Sequence, residues 1–392
     1  LRRQLFGIER NGQLLFLATL LNGLAEGLWR YILPVHVGEL GATPSQIGLV
    51  LSLSSVSMVL SYLPVGVLSD RISRRSLLIS SRGVMAAGAL AMAMARGWKG
   101  IMPGLSLFYF GWFSYPVISG YLAQVYRKDN PAAAFTSIFA GYSIGLIITP
   151  SVGGAIAGQR GMPMTFMLSA ALLLVSAFPV FFLEPQRPGS PTPLSAYREL
   201  FSHQILRGFI LYVAALATLL YAGQVLAPNF LQDVAGLGLA EIGSLGTAAS
   251  AGTAAFNFLL GRVRPRRALQ LIMGGMTLSI LMLVALPGTN LVWVCYLLFG
   301  LVGTVSFLSA GLMAPWVPAR TTGLAYAIQG LTMVISMVLG PAAAGLLYDR
   351  SPFLPFFTVA IGLMVFMIWT ARMHLRFIDE SDPLPSKSPN MA

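Results

Sequence analysis

The run TPSVGGAIAGQR, Thr149–Arg160, returns as GPAAAGLLYDR, Gly340–Arg350, about 191 residues later, with Pro150 aligned to Pro341 and Gly154 to Gly345. A second echo keeps nearly the same offset. Pro34 followed by Ile47-Gly48 reappears as Pro228 followed by Ile242-Gly243. Such an offset in a chain of 392 residues means two equivalent halves in the same orientation. In a membrane protein that is a transporter layout, with a substrate site at the midplane between the halves.

Composition says that the surrounding medium is lipid. Hydrophobic residues make up 56% of the chain and charged residues 10%, with a mean hydropathy of +0.75. A soluble domain carries about 25% charged residues, because its surface must face water. The apolar stretches predict twelve spans, at 13–37, 46–68, 76–95, 100–124, 134–157, 163–183, 207–231, 240–260, 268–287, 291–313, 322–347 and 353–373. The first continues to Leu33, past signal-peptide length, and reads as a span. The expected fold class is an all-α membrane protein, twelve transmembrane helices in two pseudo-symmetric six-helix bundles. Residues 1–183 form the first bundle, 184–206 a Pro-rich linker, 207–377 the second bundle and 378–392 a polar tail.

The net charge is +12, but the basic residues are scattered among short loops with no basic domain, which excludes nucleic acid as a partner. Their distribution instead gives orientation. About 19 of the 25 Lys and Arg fall on the side of both termini, among them Arg2, Arg3, Arg127, Lys128, Arg262, Arg264, Arg266, Arg267 and Arg372. The positive-inside rule makes that side cytoplasmic, with the chain in the cell (inner) membrane. The single cysteine, Cys295, excludes an internal disulfide and a cysteine metal cluster, and His36, His203 and His374 lie too far apart to share a metal. No phosphate-binding loop or nucleophile–base constellation is present, so the expectation is neither an enzyme nor a cofactor protein.

Between spans 2 and 3 lies Gly66-Val-Leu-Ser-Asp70-Arg71-Ile-Ser-Arg74-Arg75. It resembles the loop signature of the major facilitator superfamily, G-x-L-x-D-R-x-G-R-R, with Ser73 in place of a glycine. A degenerate copy, Gly261–Arg267, stands where the second repeat places it but lacks the acidic residue. The resemblance implies that Gly66, Asp70, Arg71, Arg74 and Arg75 form a cytoplasmic gate. Gly145-Leu-Ile-Ile-Thr149-Pro150-Ser-Val-Gly153-Gly154 similarly resembles the family's antiporter signature, with Thr149 for a glycine. Span 4 lacks the embedded arginine that many proton-driven antiporters carry. The family implies a monomeric secondary transporter working by alternating access, binding a small-molecule substrate and protons.

One acidic residue, Glu26, falls deep in a span. A carboxylate there costs about 2.5 kcal/mol or more on insertion scales unless it is paired, hydrated or protonated. Arg30 lies one turn on and Asn22 one turn back, and Trp29 completes a polar and aromatic stripe. Glu26, Arg30 and Asn22 are therefore candidates for coupling or substrate binding, with a static ion pair as the structural alternative. Further cavity candidates are Tyr109, Trp112, Tyr115, Tyr142, Tyr221, Gln224, Asn257, Tyr326 and Gln329. Arg82 reads as a residue snorkelling to the cytoplasmic interface. Export of amphipathic or drug-like compounds is the leading expectation. Uptake of a polar solute such as a sugar or organic acid is the alternative, and a non-transporting receptor or scaffold is remote.

Overall fold

A computed structural model describes residues 9–68, 72–125, 131–184, 204–313, 322–373 and 378. Among them the regular elements are helices: α1 (Arg10–Gly27), α2 (Leu33–Glu39), α3 (Pro44–Leu68), α4 (Arg74–Ala93), α5 (Trp98–Phe110), α6 (Ser114–Val125), α7 (Pro131–Arg160), α8 (Met162–Phe181), α9 (Gln204–Val225), α10 (Ala227–Ala235), α11 (Leu239–Leu260), α12 (Pro265–Ala285), α13 (Val292–Met313), α14 (Thr322–Tyr348) and α15 (Leu354–Arg372). The linker expected at 184–206 and the tail after 378 lie almost wholly outside the described residues.

Ten helical stretches among the described residues are long and apolar enough to cross a membrane. The two remaining members of the expected twelve are α1–α2 and α11. The first is interrupted and carries Asn11, Gln13, Asn22 and Glu26; the second is rich in Gly, Ala, Ser and Thr. Both pack centrally, α1 against α7 and α8, α11 against α7 and α13. Most residues of α1 are buried by protein, so it needs less apolar surface than a helix facing lipid.

Spans 1 and 7 are each broken rather than continuous, and the repeat explains why. Residues 28–32 form turns between α1 and α2, and Leu226 separates α9 from α10. Pro34 and Pro228 stand in the first turn of the second segments. Neither has an N–H for the carbonyl four residues earlier, Arg30 or Gln224, so the helix cannot continue through that point. Span 4 is likewise split, with a 3-10 turn at Gly111–Phe113 between α5 and α6.

The packing scheme repeats across the halves. The pairs α1–α7, α1–α8, α3–α5 and α4–α8 in the first half match α9–α14, α9–α15, α11–α13 and α12–α15 in the second. Two crossings then join the halves, α7 with α11 and α3 with α14. The echoed glycines lie at these crossings. A Cβ at Gly154 would meet the Leu239 carbonyl at 2.5 Å, and one at Gly345 would meet the Pro44 carbonyl at 2.6 Å. Close backbone approach is how helices associate where lipid gives no hydrophobic drive. These contacts, with Asn229 Nδ2 donating to the Pro34 carbonyl at 3.1 Å, close the end remote from the termini.

Gly154→Leu and Gly345→Leu are each expected to cost about 1–3 kcal/mol by overpacking a backbone crossing. Thermal unfolding in detergent should show this, whereas Gly83→Leu, with open space around it, should leave the midpoint unchanged.

Candidate functional site

The interruption of span 1 presents Glu26 and Arg30 from adjacent turns. Glu26 is 3% exposed, and its Oε1 accepts from Arg30 Nη1 at 2.9 Å. The same Nη1 reaches the Tyr142 hydroxyl on α7 at 3.2 Å. The Arg30 side chain remains 36% exposed, so the pair is dry on the carboxylate side and open on the guanidinium side. Trp112, in the 3-10 turn, stands edge-on to Tyr142 with ring centroids 5.4 Å apart. Both residues interact with the Glu26 carboxylate, as does Tyr109 from α5. Tyr221 on α9 approaches Glu26 and Arg30 from the second half. Tyr109, Trp112, Tyr142 and Tyr221 are all half-buried around the fully buried Glu26. The breaks in spans 1 and 4 thus supply the charges and one aromatic wall, and spans 5 and 7 supply the others.

Two residues missed in the sequence complete the arrangement. Tyr31 follows Arg30 in the same turn but points across the junction; its hydroxyl lies 3.0 Å from Ser250 Oγ and its ring covers Gly246 on α11. Neighbouring residues of one turn therefore bind opposite halves. The adjacency to Arg30 could have flagged Tyr31. Tyr62 on α3 faces Gly330 of α14 together with Tyr115, and no sequence signal separated it from an ordinary packed aromatic.

The remaining candidates fall elsewhere. Trp29 is 1% exposed, donates from Nε1 to Ser169 Oγ at 3.1 Å and packs edge-on to Phe108, inside the first bundle. Asn22 is buried on α1 one turn from Glu26. Tyr115 packs against Phe139. Gln329 ties α14 to α13, donating to the Ser306 carbonyl and Ser309 Oγ at 3.0 Å each. Gln224 is half-buried one turn beyond Tyr221, and Asn257 lies near the other end of α11 with a buried, unbonded Oδ1. The side chain of Tyr326 lies outside the described residues.

Of the gate residues, Asp70 and Arg71 also lie outside them, and Gly66 falls within α3. Arg74 donates to the Gly120 carbonyl on α6 at 2.7 Å, and Arg75 is half-buried. Ser73, the departure from the glycine of the loop signature, caps α4 by accepting from the Ser76 N–H at 3.2 Å. Arg82 corrects its expectation. It is 1% exposed and reaches Met85 Sδ at 3.7 Å, so it is buried within the first bundle and does not snorkel. Among the described residues no group of three or more His, Cys, Asp and Glu side chains could hold a metal.

At the closed end, Glu39 lies beyond the apolar part of span 1. Gln232 of the other half donates to its Oε1 at 3.2 Å. The Glu39 carboxyl is held below its ordinary value, first by hydrogen bonding from His36 and then by Gln232, with burial opposing.

The family model of the Major Facilitator Superfamily matches residues 15–311 and 222–391. The Enterobactin exporter EntS of Escherichia coli (strain K12) is 24% identical over 400 residues, covering 92% of each chain. A Putative sugar efflux transporter of Deinococcus radiodurans is 31% identical over 190 residues, 46% of this chain and 48% of that one. Among solved structures, the nucleoside transporter NupG superposes with a TM-score of 0.71 at 16% identity, over 92% of this chain and 98% of that chain. A bacterial homologue of the human lysosomal transporter Spinster gives 0.68 at 16%, over 95% and 94%.

Arg30→Gln leaves Glu26 buried without its cation and is expected to destabilise by about 3–5 kcal/mol, whereas Glu26→Gln/Arg30→Gln recovers much of the loss. Thermal shift at neutral pH measures both. The contribution of Glu39 has the sign of a depressed carboxylate: complete above the ordinary value of 4.5 and lost as pH falls through the lower folded value. The difference in midpoint between wild type and Glu39→Gln should therefore vanish on acidification below that range.

Proposed function

The chain belongs to the major facilitator superfamily, and we propose from its site that it couples proton movement to the export of amphipathic compounds bearing aromatic rings. The family makes it an integral membrane secondary transporter of small molecules rather than an enzyme. The observation that carries the finer reading is the buried Glu26–Arg30 pair, walled by half-buried Tyr109, Trp112, Tyr142 and Tyr221 from both halves. Aromatic walls suit a substrate with an apolar body, and one ion pair suits a substrate or proton that changes the local charge.

Twelve crossings, counting α1–α2 and α11 with the ten apolar helices, place both termini on the side that holds most basic residues. We read that side as the cytoplasm, the membrane as the inner membrane, the two bundles as residues 1–183 and 207–377, and the working unit as a monomer. Asp70 and its neighbouring arginines then belong to the cytoplasmic gate by resemblance to the family signature. Export is favoured because similar proteins are described as exporters, EntS across nearly the whole chain and the Deinococcus protein across about half.

In the mechanism, the end remote from the termini closes through α7–α11 and α3–α14 while the charge pair lies between the halves. Protonating Glu26 removes the charge on the carboxyl and weakens its hold on Arg30, leaving Oε1 as a neutral acceptor for the guanidinium within the aromatic walls. Tyr31, one residue on, carries any shift of that turn directly to Ser250 and Gly246 of the other half.

Cells lacking the protein should become sensitive to amphipathic aromatic compounds, and wild type should restore resistance. In vesicles, Glu26→Gln should reduce pH-gradient-driven transport by tenfold or more, on the order of the loss of one essential charge. Unchanged gradient-driven transport in that variant contradicts the role of Glu26, and accumulation inward along the gradient contradicts export.

A further inference from the structure

Two buried oxygens one turn apart on α1 have no hydrogen-bond donor. Glu26 Oε2 and Asn22 Oδ1 are both buried and unbonded, in residues that are each 3% exposed. Residues four apart in a helix are neighbours on one face. An ionised carboxylate accepts only, and an amide oxygen accepts only, so the two cannot satisfy one another while Glu26 is charged. A protein interior rarely leaves two adjacent acceptors in that condition.

We infer that Asn22 is the acceptor for a proton carried on Glu26 Oε2, so that the two residues together form the proton-binding site. This rests on the reading of Glu26 as the coupling acid. Adding one proton to Oε2 turns it from acceptor to donor, and a single hydrogen bond to Asn22 Oδ1 then satisfies both atoms. Oε1 keeps its own direction toward Arg30 Nη1, 2.9 Å away. The two oxygens of one carboxyl are thereby divided between a cation and a proton acceptor. The proton comes from water in the open cavity and returns to it on the other side, with no covalent change.

Around Glu26 stand Arg30 from the turn after α1, Tyr109 from α5, Trp112 from the 3-10 turn, Tyr142 from α7 and Tyr221 from α9, while Tyr31 turns away to α11. On the α8 side the neighbouring polar contact is the uncharged Ser169, already used by Trp29. Arg30 is a cation, and Tyr142 and Trp112 are donors, beside the charged carboxylate. Asn22, through Oδ1, favours the protonated one. Its role is positioning: it sets how readily the proton is held without touching substrate.

The test is infrared titration of the purified full chain in lipid vesicles, following the carbonyl band of a protonated carboxyl and assigning it by its loss in Glu26→Gln. In Asn22→Leu the midpoint should move to lower pH, a fall in proton affinity of about tenfold for one lost hydrogen bond, and the band should move to higher frequency. Asn22→Gln, which keeps the amide oxygen, should recover part of both changes and guards against a leucine variant that fails to fold. A midpoint that moves to higher pH means that the amide nitrogen donates to the ionised carboxylate instead, and overturns the proposal. An unmoved midpoint and band overturn it as well. A band that survives Glu26→Gln instead contradicts Glu26 as the proton carrier, a failure of the underlying reading that is distinct from either result at Asn22.

Discussion

A carboxylate held inside a membrane protein without water must have a cation, a hydrogen-bond donor or a proton, and Glu26 has its cation from one turn away. That requirement shapes the centre of the molecule. Arg30 can serve Glu26 because the turn after α1 keeps one helical hydrogen bond, from the Arg30 N–H to the Glu26 carbonyl at 3.1 Å. The turns at residues 28–32, held open by Pro34 at the start of α2, let the next residue, Tyr31, face α11. The charge pair and the contact between halves are products of the same interruption.

The second half repeats the backbone but not the charge. Pro228 breaks span 7 as Pro34 breaks span 1, and α9–α14 packs as α1–α7 does. Its contribution at the site is Tyr221, an aromatic hydroxyl where the first half has a carboxylate. The asymmetry assigns ionic chemistry to one half and leaves the other to supply apolar wall and leverage. Closing the far end is the task of the small residues. Gly154 against α11 and Gly345 against α3 allow the halves to meet backbone to backbone, which no larger side chain permits.

Most of the architecture was legible because its causes are local or periodic. Hydrophobic run length gave the spans, and the proline and glycine echoes gave the two halves. The Glu26–Arg30 pair was legible from the cost of a carboxylate in a span and from helical spacing. The destinations of Trp29 and Gln329 were not. Each is a polar group on a helix face, and sequence does not distinguish a face turned to a cavity from one turned to Ser169 or Ser309. Arg82 misled for the same reason: its distance along the helix suggested an interface, whereas lateral packing buried it. Tyr31 was missed because the turn after Gly27 redirects it across the junction, and helical periodicity does not apply to a broken helix.

Coupling of this kind requires substrate and proton to influence one another through Glu26. It is tested most directly by counting protons exchanged when substrate binds to purified protein in weakly buffered solution, using a compound first shown to stabilise the protein thermally. Wild type is expected to take up or release a proton in proportion to bound compound, and a Glu26→Gln variant that still binds it to exchange none. Saturable binding to wild type with no proton exchanged across the neutral and mildly acidic range would contradict it.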